Sequence, residues 1–374
     1  MEFVGAKKRF GFGCMRLPMK GEEVDIEQFK AMVDRFIEEG YNYFDTAHGY
    51  IGGLSEKALK VALTSRYPRD KYLLANKLSP SYFKKEEDII PLFLSQLEIT
   101  GAGYFDYYLM HAQSRRNFSQ YRECRAYETA FELKRRGLIK HVGISFHDTE
   151  EMLEEILSTY PEIEFVQIQF NYLDYYSPSV QSKKLYEVCV KHNKPIIVME
   201  PVKGGQLVNL PDGAKRIFDE IRGEKSYASY AIRFALHFPQ IAMVLSGMSD
   251  FSQMEDNISS TKDYVDLSED EMKAIEGVRD ILASQQIIPC TKCRYCVTDN
   301  ACPMNIQIPD LFAAYNDKKS LDQWATNSYY NTHLTGNGKG LASECIGCGG
   351  CEAVCPQKLP IREWLIEVKN EFEQ

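Results

Sequence analysis

Eight apolar, strand-like runs alternate with helical stretches over about 260 residues, and eight of the eleven cysteines then fall between Cys290 and Cys355. These two observations predict an α/β chain: a (β/α)8 TIM barrel over residues 1–280, followed by a small, mainly helical cysteine-rich domain over residues 281–374. A length of 374 residues suits one large and one small domain. Hydrophobic residues at 44% and charged residues at 26% are ordinary for a globular protein and exclude disorder.

The elements follow in order. Runs rich in β-branched and aromatic residues predict strands over 10–17, 41–47, 72–78, 105–111, 141–146, 165–170, 194–200 and 242–248. Between the first two, Asp25 caps a predicted helix whose Phe29, Met32, Val33, Phe36 and Ile37 share one face. Further helices are predicted over 55–63, 86–97, 121–136, 179–192, 226–237 and 251–259. Asp148 with Glu151 reads as a capping box after the fifth strand. The Gly-rich stretch 202–225 reads as a long loop. A doubly wound open sheet is the competing fold, but Gly11-Phe12-Gly13 runs on into Cys14-Met15-Arg16 with no third Gly, so the dinucleotide fingerprint fails. A barrel places its chemistry at the C-terminal ends of its strands.

The tail carries Cys290-x2-Cys293-x2-Cys296-x5-Cys302-Pro303 and Cys345-x2-Cys348-x2-Cys351-x3-Cys355-Pro356. A cubane takes three thiolates from one short loop, and a Cys-Pro supplies the fourth ligand to the other cluster. One [4Fe-4S] cluster is therefore assigned to Cys290, Cys293, Cys296 and Cys355, the other to Cys345, Cys348, Cys351 and Cys302. The second run has the bacterial ferredoxin spacing, which makes this a ferredoxin-like, two-cluster domain. Structural zinc is the competing reading, yet a third Cys at the next x2 has no tetrahedral use. Gly347, Gly349 and Gly350 allow the backbone close to the cluster. Helices are predicted over 309–316 and 321–328. Cys14, Cys124 and Cys189 read as packing residues.

Polar residues close several of the barrel strands. The second ends at Asp45-Thr46-Ala47 and runs into His48-Gly49-Tyr50, the third ends at Asn76-Lys77, and the fourth at His111. With these residues the sequence over about 5–280 resembles the aldo–keto reductase family, whose catalytic tetrad has equivalents in Asp45, Tyr50, Lys77 and His111. Gly53-Leu54-Ser55-Glu56 is similar to the family's Gly-x-Ser-Glu, and the tail resembles that of ferredoxin-fused members. The resemblance implies carbonyl–alcohol interconversion with a nicotinamide. Tyr50 would protonate the alkoxide, Lys77 would lower the phenol's pKa, Asp45 would hold Lys77, and His111 would bind the substrate oxygen.

The resemblance also implies the cofactor contacts. Ser145 and Gln167 stand for the residues that hold the nicotinamide amide, Phe146 where the family usually has Asn, and Met199 where it has the stacking Tyr. Ser246, Gly247 and Ser249 resemble the phosphate loop, and Asp256 with Asn257 the adenine contacts. Members specific for NADPH carry Lys and Arg where Gly247 and Gln253 stand here, so NADH fits as well as NADPH.

A nicotinamide moves two electrons as hydride while each cluster moves one, and a flavin is the usual divider. FMN in the barrel mouth is therefore the alternative cofactor. A non-enzymatic iron–sulfur carrier or sensor is the alternative function. The formal charge of −9 argues against nucleic acid as a partner. Two clusters adding −2 each would take it to near −13, which suits a ferredoxin-like or flavoprotein redox partner with a basic docking face. No run is long enough to span a membrane, and the start at 1–12 shows no apolar signal region, so a cytoplasmic protein is expected.

Overall fold

The computed structural model describes all residues except 1–3, 116, 178–179, 222, 285–287, 289, 291–294, 299–301, 322–326, 328, 337, 354, 356–358 and 374. Eight parallel strands close into a barrel: β1 (Phe10–Gly13), β2 (Tyr43–Asp45), β3 (Leu73–Leu78), β4 (Phe105–Gln113), β5 (Ile139–Phe146), β6 (Phe165–Gln169), β7 (Ile196–Met199) and β8 (Ile241–Gly247). All eight predicted strands are present. A two-residue hairpin, Met19–Lys20 with Glu23–Val24, lies between β1 and the first helix.

The barrel is filled from below by large side chains. Tyr43, Tyr107, Leu109, Phe165, Ile197, Met243 and Leu245 form one buried cluster. Two glycines make room for them. A Cβ on Gly143 would lie 2.5 Å from the Phe165 ring, and one on Gly11 would lie 2.7 Å from Leu245 and 2.8 Å from Tyr43. Above this apolar plug the register aligns the polar strand ends. Asp45 pairs with Gly13 and Ala75, Lys77 with Leu109, Ser145 with Gln167, and Gly13 with Gly247. The site residues thus form one ring at the C-terminal mouth.

The helices follow the expected periodicities with three differences. Asp25 caps Ile26–Glu38 by accepting from the Gln28 backbone N–H. The stretch predicted as one helix over 121–136 is two, Phe118–Glu123 and Ala126–Arg135, because Arg125 adopts φ of +50°. The helix after β5, Glu150–Thr159, begins behind Thr149, not Asp148. Asp148 instead accepts the backbone N–H groups of Thr149 and Arg115. The supposed loop over 202–225 contains a helix at Asp212–Asp219. In the tail, the helix predicted over 309–316 lies within Ile308–Leu321, whereas most of 321–328 falls outside the described residues.

Contacts divide the chain into a first unit of Met1–Leu210 with Phe218–Ile275 and a second of Pro211–Ile217 with Glu276–Gln374. The second unit has its own core, in which Leu311, Phe312 and Tyr315 of one helix meet Leu365, Val368 and Phe372 of Ile361–Phe372. Asn316 fixes the chain at Ile288 by a reciprocal pair of hydrogen bonds, each 2.8 Å.

Candidate active site and cluster ligands

Lys77 is fully buried at the end of β3 and donates three hydrogen bonds: to Asp45 Oδ1 at 2.5 Å, to the Thr46 carbonyl at 2.8 Å, and to Tyr50 Oη at 3.2 Å. Burial alone would lower its pKa, but the Asp45 carboxylate and the Tyr50 oxygen outweigh that and raise it. The amine is therefore an ammonium at neutral pH. Burial raises the pKa of Asp45 against the pull of Lys77. The Tyr50 phenol is also raised, because burial exceeds the opposing effect of Lys77. This reverses the expected direction: the lysine limits the rise and does not produce a net fall. The phenol thus stays protonated at neutral pH, as a proton donor must.

His111 faces Tyr50 edge-on, with ring centroids 5.9 Å apart. Burial and the nearby Lys77 charge hold its pKa well below the usual imidazole value, so the ring is neutral. Its Nδ1 lies 2.6 Å from Ser79 Oγ, and its carbonyl accepts from Tyr121 Oη at 2.8 Å. All four residues of the expected tetrad are therefore brought together.

Behind them lies a buried network that the sequence did not reveal. Fully buried Glu56 accepts from Asn76 Nδ2 at 2.7 Å and lies 2.8 Å from His48 Nδ1. Gln96 in turn bonds Asn76, the Lys77 carbonyl and Tyr108. Ser55 ties Thr46 to the Cys14 carbonyl. Cys14 itself is fully buried.

The expected cofactor residues divide. Ser145 is buried, and its Oγ accepts from the Ala112 N–H at 2.7 Å. Gln167 donates to Asp45 Oδ2 at 3.3 Å. Phe146 is 1% exposed, so it fills space and does not widen the mouth. Met199 is half-buried at the end of β7. Asn257 donates to Ser246 Oγ at 3.1 Å, while Gln253 accepts from the Ser249 N–H at 2.9 Å. Asp256 points elsewhere and accepts from Ser226 at 2.7 Å. One residue was missed. Arg16, beyond β1, packs against Gly247, and its carbonyl lies 3.5 Å from Ser249 Oγ. Its guanidinium stands 3.8 Å from Glu200. The aliphatic stem of Arg16 thus lies beside Gly247, while its guanidinium is turned toward Gly204 and Glu200.

In the second unit, Cys302 lines the same pocket as Cys345, Cys348 and Cys351. Apolar Met304, Ile306, Ile308, Ile346 and Leu365 complete most of the wall. Gly347 and Gly349, at φ of +70° and +75°, let the loop turn tightly between the sulfurs. Among the described residues no three Cys, His, Asp or Glu side chains close on a single metal ion. Four cysteines lining one pocket is the arrangement that a cubane would use. Buried Cys296 and half-buried Cys290 and Cys355 belong to the core of the same unit. The short helix Tyr295–Thr298 packs on Gly350–Ala353, which brings the Cys296 and Cys351 segments together. Cys293 lies outside the described residues.

Comparison with known proteins agrees with both halves. The model of the aldo/keto reductase family matches residues 9–280, and that of the 4Fe-4S dicluster domain matches residues 289–359. The chain is 25% identical over 306 residues to the uncharacterized oxidoreductase YqkF of Bacillus subtilis, covering 71% of this chain and 91% of that one. It is 29% identical over 198 residues to the D-galacturonate reductase of Fragaria ananassa, covering 48% and 57%. Among solved structures, an aldo-keto reductase from Klebsiella pneumoniae in complex with NADPH superposes with a TM-score of 0.59 at 19% identity, over 72% of this chain and 89% of that one. The holo form of AKR11C1 from Bacillus halodurans gives 0.59 at 24% identity, over 72% and 91%. No helix among the described residues is long and apolar enough to cross a membrane.

Proposed function

The chain belongs to the aldo/keto reductase family and carries a C-terminal 4Fe-4S dicluster domain, and we propose that its barrel interconverts a small-molecule carbonyl and alcohol by hydride transfer with NAD(P)H, coupled to electron transfer through two [4Fe-4S] clusters. The observation that carries this reading is the buried chain from Asp45 through Lys77 to Tyr50.

A bound reduced nicotinamide supplies the hydride. The rest falls to the residues of the mouth. Lys77 donates into the Tyr50 oxygen, so the phenol's own hydrogen points away from Lys77 and is free to meet the substrate oxygen. Tyr50 delivers that proton as negative charge develops there. The phenolate left behind is stabilised by the Lys77 ammonium, which Asp45 holds in place. Neutral His111, fixed through Nδ1 by Ser79, offers its other ring nitrogen to the substrate oxygen. In the alcohol-to-carbonyl direction the same atoms act in reverse.

Ser145, Gln167 and Met199 flank this point and would hold the nicotinamide ring. Ser246, Gly247 and Ser249 would hold its phosphates, with Arg16 as their cation. The donor set of the tail, four thiols in an apolar wall, fits a cubane cluster with Cys345, Cys348, Cys351 and Cys302 as ligands. Cys290, Cys293, Cys296 and Cys355 would hold the other. The hydride that reduces the carbonyl is spent there. Electrons passing through the clusters from a ferredoxin-like or flavoprotein partner would serve to regenerate the reduced nicotinamide, and because each cluster moves one electron a flavin would have to pair them.

The test is Tyr50→Phe in protein prepared without oxygen. Turnover of simple aldehydes and quinones with NADH and with NADPH should fall about 10²- to 10⁴-fold, while the cluster absorbance is unchanged. Full turnover by the variant would remove Tyr50 from the mechanism. A flavin spectrum in the supernatant after acid release would place that flavin in this protein.

A further inference from the structure

The pocket ringed by Cys302, Cys345, Cys348 and Cys351 has one charged lining residue among those described, Arg362. It occupies the first turn of Ile361–Phe372 and is gripped by Glu352, the residue after ligand Cys351. The Arg362 backbone N–H donates to Glu352 Oε1 at 2.8 Å, and Nε and Nη2 reach Oε2 at 3.0 and 2.8 Å. Its Nη1 lies 3.5 Å from the Gly347 carbonyl. A Cβ on Gly349 would come within 3.9 Å of the guanidinium carbon. The guanidinium is therefore held by the Glu352 carboxylate along the Gly347–Gly349 loop, which carries Cys348.

We infer that Arg362, aimed by Glu352, sets the reduction potential of the cluster held by Cys302, Cys345, Cys348 and Cys351; this rests on the two-cluster reading above. The charge balance gives the sign. Four thiolates around an oxidised core carry −2, and uptake of one electron makes −3. An apolar wall disfavours the higher charge and lowers the potential. A fixed cation stabilises the −3 state more than the −2 state and raises it. Arg362 therefore favours the electron on this cluster. Glu352 has two opposed effects: it places the guanidinium, and it adds a negative charge of its own. Arg362 is a tuning and positioning residue and ligates no iron.

The test is a redox titration followed by electron paramagnetic resonance on the full-length holoprotein, prepared without oxygen, with iron and sulfide assayed on every sample. Arg362→Gln should move one of two midpoints to more negative potential, lowering the reduced-to-oxidised ratio up to about tenfold at fixed potential (about 59 mV for one electron), the half exposure of the guanidinium setting that ceiling. The other midpoint should stay in place. Arg362→Lys keeps the charge without the fork and should stay nearer wild type. Glu352→Gln keeps an acceptor oxygen for the Arg362 N–H groups but removes the carboxylate charge, so it should move the same midpoint to more positive potential. No shift, or a shift of both midpoints together, would overturn the role assigned to Arg362, as would equal shifts for Gln and Lys. A wild-type protein holding fewer than roughly eight irons would instead overturn the two-cluster reading.

Discussion

The two halves of the chain build polar sites in opposite ways. In the barrel, each tetrad side chain has a protein partner: Asp45 with Lys77, Lys77 with Tyr50, His111 with Ser79. The site stands on a plug of Tyr43, Tyr107 and Phe165 that is packed without its help. In the second unit, most of the described cysteines proposed as ligands are part of the core or packed on it. Cys296 and Cys351 are members of the buried cluster, and Cys290, Cys302, Cys345 and Cys355 pack against it. The Tyr50 hydroxyl can be removed at little structural cost, because the buried Asp45–Lys77 pair stays intact. A ligand in the tail cannot, because a small unit draws much of its order from the group that joins its segments.

The largest expected effect breaks that comparison most directly. Removing iron with a chelator, or replacing buried Cys351 with Ser, should abolish hydrogen-exchange protection in the helices Ile308–Leu321 and Ile361–Phe372. Strands β3 to β5 should keep theirs. Equal loss in both units would show that the barrel depends on the clusters as much as the tail does. Retained protection in the tail would show that its apolar core suffices, leaving the clusters with electron transfer alone.

A smaller effect tests the claim that the barrel unit is held by its own interactions. Glu271 is 7% exposed and accepts from Arg233 through both oxygens, at 2.7 and 2.8 Å, and from Lys225 at 2.7 Å. The Arg233 hydrogen bonds, reinforced by Lys225, lower its pKa to about 2 despite burial. An unfolded glutamate titrates near ~4.3. The folded form thus binds protons less readily, and the resulting stability is complete above that value and lost as pH falls through 4 toward 2. Glu271→Gln should cost about 3 kcal/mol at pH 7, read as a lower urea midpoint of the barrel's unfolding. The gap from wild type should close by pH 2. A gap that persists there would assign the cost to packing, not to charge.

What could be read from the sequence follows the range of the signal. Barrel strands are buried on both faces and written as continuous apolar runs, so Phe165–Gln169 or Ile241–Gly247 stand out. A polar residue ending such a run, as Asp45, Lys77 and His111 do, is equally visible. Cysteine spacing is a local code. The break at Arg125 was hidden, since helical periodicity continues across it and only φ changes sign. The helix Asp212–Asp219 was hidden by Pro211 and Gly213. Partnerships between distant segments left no trace: Ser79 with His111, Glu56 with Asn76, and Arg16 with Gly247. The fall expected for the Tyr50 pKa reversed for a similar reason, because how deeply a loop residue is buried is a property of the closed barrel.

Arg16 gives the smallest expected effect and the finest probe of a site that the barrel assembles for itself. Read along the sequence, Gly247 and Gln253 leave the phosphate end of the cofactor without a cation. Across the closed barrel, β1 pairs with β8 from Phe10–Val244 to Gly13–Gly247. That register carries Arg16 beside Gly247, with Glu200 3.8 Å from its guanidinium. A half-exposed guanidinium meeting a phosphate gains a charge-assisted bond of about 1.5 kcal/mol. Arg16→Ala should then raise the KM for the nicotinamide about tenfold with kcat little changed, and the effect should shrink as salt rises. If the contact is to the 2′-phosphate, the loss will fall on NADPH alone. If it is to the pyrophosphate, NADH and NADPH will lose equally. A fall in kcat without a change in KM would move Arg16 out of the phosphate site, leaving its pairing with Glu200 as a brace on the loop after β7.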